Sequence, residues 1–274
     1  MKHLLSTTLV ALTTALALPS LTHAVDVYIV TGQSNGWRIS SLNAGPSKGA
    51  GTIHYIGMGC VSEPTQGAYK KLEGVRGMGA GLAVALSKLS NDDIVFIQYC
   101  RCGAPTWDKS VKSWYPGDNP PEGQLYNDGL YGRFQQYIAH ARTTVEAKQG
   151  LTWNVKGLFW HQGESDSGEP HASSYETRLR HLFYRFRADL GKDLPIVAGQ
   201  IRELNDGNRK VNAAIRRIAV ADPLTATVEV QDLAFEADNK GKKNVHFNTK
   251  GCHGLGARMA AAFAKLPQTK STTP

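Results

Sequence analysis

Val25-Asp26-Val27-Tyr28-Ile29-Val30 is a β-branched run that ends at Thr31-Gly32, and it reads as a buried strand stopped by glycine. Gln33-Ser34-Asn35 follows at once. Outward from this stretch the same kind of run recurs over residues 93–99, 155–160, 195–200 and 225–231, with a weaker strand over 52–56. Segments of helical period lie between them, over 79–89, 131–148, 172–190, 208–220 and 249–265. The first carries Leu82, Leu86 and Leu89, and the last Leu255, Met259 and Phe263, each set on one face. Strands alternating with helices predict an α/β domain whose mostly parallel sheet is covered on both faces.

Composition narrows the classes further. The 274 residues are 41% hydrophobic and 20% charged, and the 28 Gly and 12 Pro follow no period, which excludes a disordered or collagen-like chain. No Pro/Ser-rich linker breaks the middle, so residues 25–266 read as one domain, followed by a polar C-terminal tail at 267–274. Residues 1–24 carry one Lys, an apolar run and small residues at Thr22 and Ala24. That is the layout of a signal peptide, with a run shorter than the ~20 residues of a membrane span. The expected location is secreted or periplasmic, with no membrane attachment after cleavage; an uncleaved anchor is the alternative.

Lys and Arg number 31 against 23 Asp and Glu. Such an excess draws anionic polymers from a distance, although a solvated basic surface is the plainer reading. The basic residues are scattered and form no nucleic-acid motif, so no nucleic-acid partner is expected. The oligomeric state has no sequence signal.

Cys60, Cys100, Cys102 and Cys252 are an even number in an exported chain, so one or two disulfides are expected, with the pairing open. Cys100-x-Cys102 and Cys252-His253 match no zinc spacing, so no metal is expected. Gly77-Met78-Gly79-Ala80-Gly81 follows no strand and lacks the third glycine of a dinucleotide loop, so no cofactor is expected either.

In open parallel sheets the ligand crevice lies beyond the carboxyl ends of the strands. The residues there are Gly32 to Asn35, Cys100 to Gly103, His161 to Glu164, and Asp232 onward. Ser34, between a strand and a coming helix, is either a helix cap or a nucleophile beside amides that stabilise an anion. His246, just before the last helix, is the base such a serine needs. The N–H of Gly103, the side-chain amide of Gln162 and the Ser34 N–H would make an oxyanion hole. The irregular stretch 103–129 carries Trp107 and Trp114, each able to stack on a sugar or to pack in the core. Tyr175, Phe183, Tyr184 and Phe186 follow a helical pattern and are expected in the core.

Three blocks carry a resemblance. Gly32-Gln33-Ser34-Asn35, Trp160-His161-Gln162-Gly163-Glu164-Ser165-Asp166 and His246-Phe247-Asn248-Thr249-Lys250-Gly251 resemble the motifs of the SGNH-hydrolase superfamily, in its sialate O-acetylesterase and acetylxylan-esterase branch (carbohydrate esterase family 6). The resemblance implies a flavodoxin-like three-layer α/β/α fold. It also implies cofactor-free removal of O-acetyl groups from a carbohydrate through an acetyl-serine. Ser34 matches the nucleophile, His246 the base, and Gly103 and Gln162 the oxyanion donors; Gln33, Asn35 and Trp107 are further candidates for substrate binding.

The chain departs from that pattern at several positions. The aspartate common three residues before the histidine is Lys243 here, and a lysine cannot support an imidazolium. Glu164 is the first candidate for the acid and Asp238 the second. The usual Gly-Gly-Thr is Cys102-Gly103-Ala104, and Gly36 stands where Met is usual. A disulfide from Cys102 to Cys60 or Cys252 would fix the oxyanion loop. Lys243 also motivates an alternative, a catalytically impaired carbohydrate-binding protein on the same fold. An esterase for lipid or aryl esters is a third reading, for which the sequence shows no long apolar lid.

Overall fold

The computed structural model describes residues 24–37, 53–58, 70–71, 77–89, 93–117, 129–238 and 244–268. Residues 1–23 of the expected signal peptide, Cys60 and Lys243 lie outside them. The elements run β1 (Ala24–Gly32), α1 (Ser34–Trp37), β2 (Ile53–Met58), β3 (Lys70–Lys71), α2 (Met78–Leu86), β4 (Ile94–Cys100) and α3 (Leu130–Gln149). They continue with β5 (Thr152–His161), α4 (His171–Leu190), β6 (Ile196–Gly199), α5 (Asp206–Ala221), β7 (Thr225–Val228) and α6 (Thr249–Phe263).

The described strands form one sheet in the order β3-β2-β4-β1-β5-β6-β7. Every pairing is parallel except the short β2–β3 pair. Side chains of β1 alternate between two apolar clusters, as the period of a strand requires. Val25, Val27 and Ile29 join Phe134, Leu179, Phe186 and Ile215 on the face of α3, α4 and α5. Tyr28 and Val30 join Leu82, Leu86, Leu255 and Met259 on the face of α2 and α6. A sheet buried on both faces by helices is the three-layer α/β/α architecture expected from the alternation, and its continuous apolar strands are what two-sided burial demands.

Some sequence expectations shift. Trp114 is fully buried in the α3–α4 cluster and is a core residue. Tyr175, Phe183 and Phe186 are buried as expected, whereas Tyr184 on the outer side of α4 is 46% exposed.

The order of the strands also fixes where a site can form. The chain leaves β1 for β2 on one side, returns to β4 beside β1, and then crosses to β5 on the other side. Strand order therefore reverses at β1, and the loops diverging from it leave a crevice at the carboxyl ends of β1, β4 and β5.

Candidate active site

Gly32 is level with Cys100 on one side and His161 on the other, so the three loops leave the sheet at one height. The turn after β1 is tied to both neighbours. Gln33 N–H donates to His161 O at 2.9 Å, and Arg101 N–H to Gly32 O at 3.1 Å. The buried indole of Trp114 donates to the same Gly32 carbonyl at 3.0 Å. Gly32 has φ +129°, and a Cβ there would stand 2.1 Å from His161 O, so only glycine permits this turn. α1 then starts at Ser34, which places the Ser34 N–H in the first turn of a helix, without an intrahelical acceptor.

Gly36 has a physical reason as well. A Cβ at this position would lie 2.7 Å from Cys100 Sγ, so the glycine makes room for the buried thiol at the end of β4. Burial pushes that thiol's pKa well above its ordinary value, and Cys100 is a free, inert cysteine.

His246 reaches the serine from the far end of the chain. Its segment is zipped to the stretch after β7: Phe247 bridges Phe235, Glu236 N–H donates to His246 O at 2.9 Å, and Asn248 N–H to Ala234 O at 3.1 Å. Asn248 then caps α6 by accepting from Gly251 N–H at 3.0 Å. Held this way, His246 Nε2 lies 3.1 Å from Ser34 Oγ. On the other edge of the ring, Nδ1 lies 3.1 Å from Asn244 Oδ1.

Both residues open on a crevice of about 690 Å³, lined by Gln33, Ser34, Cys102, Gly103, Glu164, Ser165, Val245 and His246. Gly103 sits there in the left-handed region (φ +66°) with open space where a Cβ would be. Among the described residues no acceptor meets its N–H. Cys102 is disulfide-bonded. Cys252 is buried and not disulfide-bonded, which removes it as the expected partner; Cys60, the other alternative, lies outside the described residues.

The remaining expected site residues are placed differently. Gln162 is fully buried. Its amide N–H groups go to Ala104 O at 3.1 Å and to Asp166, and its Oε1 accepts from Tyr175 at 3.0 Å. With both donors used, Gln162 has none left for an oxyanion, and that expectation is corrected: it supports the loop that carries Gly103. Asp166 completes this support, accepting from Thr106 N–H at 3.1 Å, Thr106 Oγ1 at 2.6 Å and Arg178 at 3.0 Å.

Glu164 lines the crevice, but its hydrogen bond comes from Asn35 Nδ2 at 2.7 Å and not from His246. Its place as the carboxylate directly on the histidine is corrected accordingly. Asn35 is 1% exposed; its Nδ2 also donates to Val245 O at 3.1 Å, and its Oδ1 accepts from Phe247 N–H at 3.2 Å. Its side chain is thus committed to protein partners on both sides of His246 and is withdrawn as a substrate ligand. Asp238 accepts from Asn244 N–H at 3.0 Å, one residue removed from the imidazole. Trp107, 40% exposed, stacks face to face on His171 at 3.9 Å, outside the crevice lining.

His161 is fully buried beneath the site, with Nε2 donating to Gln200 O at 3.0 Å and Nδ1 3.9 Å from Glu164 Oε1. Burial lowers its pKa below the ordinary 6.5, outweighing the pull of Glu164. Among the described residues no group of three His, Cys, Asp or Glu is arranged to hold a metal ion.

Asn244 is the residue that motif reading passed over. Its signal was an asparagine two positions before the histidine, the spacing of an Asx turn.

The architecture is shared with solved structures of low identity. An Arabidopsis thaliana protein solved at 1.6 Å matches with a TM-score of 0.67 at 20% identity, covering 89% of this chain and all of that one. A carbohydrate acetylesterase from Xanthomonas citri matches at 0.62 and 16% identity over 88% of this chain, which spans 56% of that chain. NanS matches at 0.60 and 15% identity over 88% of this chain and 97% of its own. No curated protein sequence matches. The family model described as carbohydrate esterase, sialic acid-specific acetylesterase matches residues 58–265, well over half of the sequence, and the chain belongs to that family.

Proposed function

We propose that the protein is an exported serine esterase that removes O-acetyl groups from a carbohydrate of the sialate or xylan type through an acetyl-serine. The observation that carries this reading is the 3.1 Å contact between Ser34 Oγ and His246 Nε2 at an open crevice, in a chain of a carbohydrate esterase family. His246 takes the Ser34 proton as Oγ attacks the acetyl carbonyl. The tetrahedral oxyanion is held by the N–H groups of Ser34 and Gly103. Gln33 adds a third donor: its Oε1 lies 3.4–3.5 Å from the amides of Ser165 and Gly163, which leaves its Nε2 for the crevice it lines. Each such donor is worth about 2.7–4 kcal/mol of transition-state stabilisation.

Collapse of the intermediate breaks the bond to the sugar oxygen, which takes the proton from His246. Water then attacks the acetyl-serine, with the same histidine as base, and acetate leaves. Glu164 acts one step back from the chemistry, as a positioning residue that holds Asn35 against the His246 segment.

Export rests on the signal-peptide layout of residues 1–24; no helix among the described residues is long and apolar enough to cross a membrane. N-terminal sequencing of the mature protein is expected to begin at Val25. The reading of function is tested by acetate release from 4-nitrophenyl acetate, acetylated xylan and O-acetylated sialic acid. Ser34→Ala is expected to abolish turnover while leaving the circular dichroism spectrum unchanged. Near-full activity of that variant would overturn the mechanism. An inactive wild type that binds acetylated glycan would favour the carbohydrate-binding alternative.

A further inference from the structure

We propose that Asn244 is the positioning residue that fixes the reactive tautomer of His246, in the place a carboxylate holds in serine triads. The inference rests on the reading of Ser34 and His246 as nucleophile and base, and it concerns what holds that base.

The orientation of the Asn244 amide follows from its partners. Its Oδ1 receives the backbone N–H of His246 at 3.0 Å, and a backbone N–H only donates, so an oxygen must face it. Its Nδ2 faces Glu236 Oε2 at 3.3 Å and Ala237 O at 3.5 Å, both acceptors only. The two ends agree, and the amide cannot be turned over without setting like groups against each other. Oδ1 is therefore the atom that meets His246 Nδ1 at 3.1 Å, and the hydrogen of the neutral ring sits on Nδ1. The lone pair is then on Nε2, 3.1 Å from Ser34 Oγ, where a general base needs it.

The amide is itself held. Asn244 N–H donates to Asp238 Oδ1 at 3.0 Å, and the Arg202 guanidinium binds Asn244 O. That guanidinium lies 4.4 Å over the Phe235 ring and 3.5 Å from Asp238. Phe235 in turn stacks on Phe247, next to the histidine. The two carboxylates expected near His246 thus lie one residue back, Asp238 behind Asn244 and Glu164 behind Asn35, and Glu236 joins Asp238 behind the same asparagine. Among the described residues these three acids and Arg202 face the segment that carries the imidazole; Lys243 lies outside them. A neutral amide fixes the tautomer as a carboxylate does, but it stabilises the imidazolium less, so a carboxylate placed at residue 244 must raise the pKa of His246.

The experiment compares wild type, Asn244→Ala and Asn244→Asp in two readouts: the pH profile of kcat and KM on 4-nitrophenyl acetate, and the NMR titration of His246. Loss of the tautomer-fixing group can cost a serine triad up to about 10⁴-fold in kcat. Asn244→Ala is expected to lower kcat by at least ~10²-fold with KM little changed. Asn244→Asp, which keeps the acceptor, is expected to stay within about tenfold of wild type while the acidic limb of kcat and the His246 titration both move to higher pH. Wild-type kcat and an unmoved titration in Asn244→Ala would overturn the proposal. An unmoved His246 titration in Asn244→Asp would overturn it too, and decides the matter should the alanine variant fail to fold. The titration needs no substrate, so it separates this inference from the esterase reading, which stands or falls with Ser34→Ala.

Discussion

Asn35 Nδ2 donates to Glu164 Oε1 at 2.7 Å, joining two residues 129 positions apart beneath the serine–histidine contact. The same amide holds Val245 O and Phe247 N–H on either side of His246. One side chain next to Ser34 therefore ties together the loops after β1 and β5 and the histidine segment. Displacing a catalytic group by about 1 Å can cost ~10²-fold. Asn35→Ala is expected to lower kcat by about that factor, and to cost about 1–3 kcal/mol of stability because the Phe247 N–H loses its acceptor. Glu164→Gln keeps an oxygen for Asn35 and is expected to retain most activity, whereas Glu164→Ala is expected to behave like Asn35→Ala. Steady-state kinetics on 4-nitrophenyl acetate check this; loss of turnover in Glu164→Gln equal to that in Glu164→Ala would show that the charge, and not the hydrogen bond, is what matters.

Asp166 anchors the Gly103 loop from below. It is fully buried and accepts from Thr106, Gln162 and Arg178. Removing one partner of a buried ion pair costs about 3–5 kcal/mol, and Arg178, with a side chain 19% exposed, can recover some solvation. Asp166→Ala is therefore expected near the lower end, read as a fall in the urea midpoint. Gln162→Leu tests the same scaffold: it should cost stability, while kcat of the folded enzyme falls by less than the ~10²–10³-fold of a lost oxyanion donor. A loss of that size at unchanged stability would return Gln162 to the oxyanion hole.

The fold was legible because burial on both faces of a parallel sheet leaves a one-dimensional trace: continuous apolar strands alternating with amphipathic helices. Ser34, His246 and Gly103 were legible because each lies at a strand end or before a helix, where topology alone brings them to one crevice. The roles of Gln162, Glu164 and Asn35 were not, because a polar residue at a strand end can point into the crevice or beneath it. That choice is made by partners such as Ala104 O, Tyr175 and Phe247 N–H, which are distant in sequence. Asn244 was hidden for another reason: a search for an acid does not register an amide.

Trp114 shows what the irregular stretch after β4 contributes. Its ring meets Tyr99, Phe134, Trp160 and Phe186 edge-on at 5.4–6.3 Å, and its Nε1–H donates to Gly32 O just before the turn that carries Ser34. Trp114→Phe keeps an aromatic ring but removes the donor. Because Arg101 N–H still serves that carbonyl, the lost bond is expected to cost only about 1 kcal/mol, with a further loss for the reduced ring volume. Chemical denaturation measures it, and an unchanged midpoint would mean that neither the bond nor the packing contributes.

His161 sets an acid limit to stability. Its Nε2 faces a carbonyl and must carry the hydrogen, and burial holds its pKa below the ordinary 6.5. A histidine kept neutral in the folded state while the unfolded chain takes up a proton favours unfolding as pH falls. Its contribution is fully present above about pH 6.5 and is lost below that value, by at most about 1.4 kcal/mol per pH unit. His253, whose pKa burial also lowers, acts in the same direction, so the comparison must isolate position 161. His161→Gln removes the titration and keeps a donor for Gln200 O. Urea unfolding between pH 7.5 and 5 is expected to show wild-type stability falling more steeply than that of the variant below pH 6.5. Parallel curves would mean that His161 takes up its proton equally in both states, and that the Glu164 carboxylate 3.9 Å away offsets its burial.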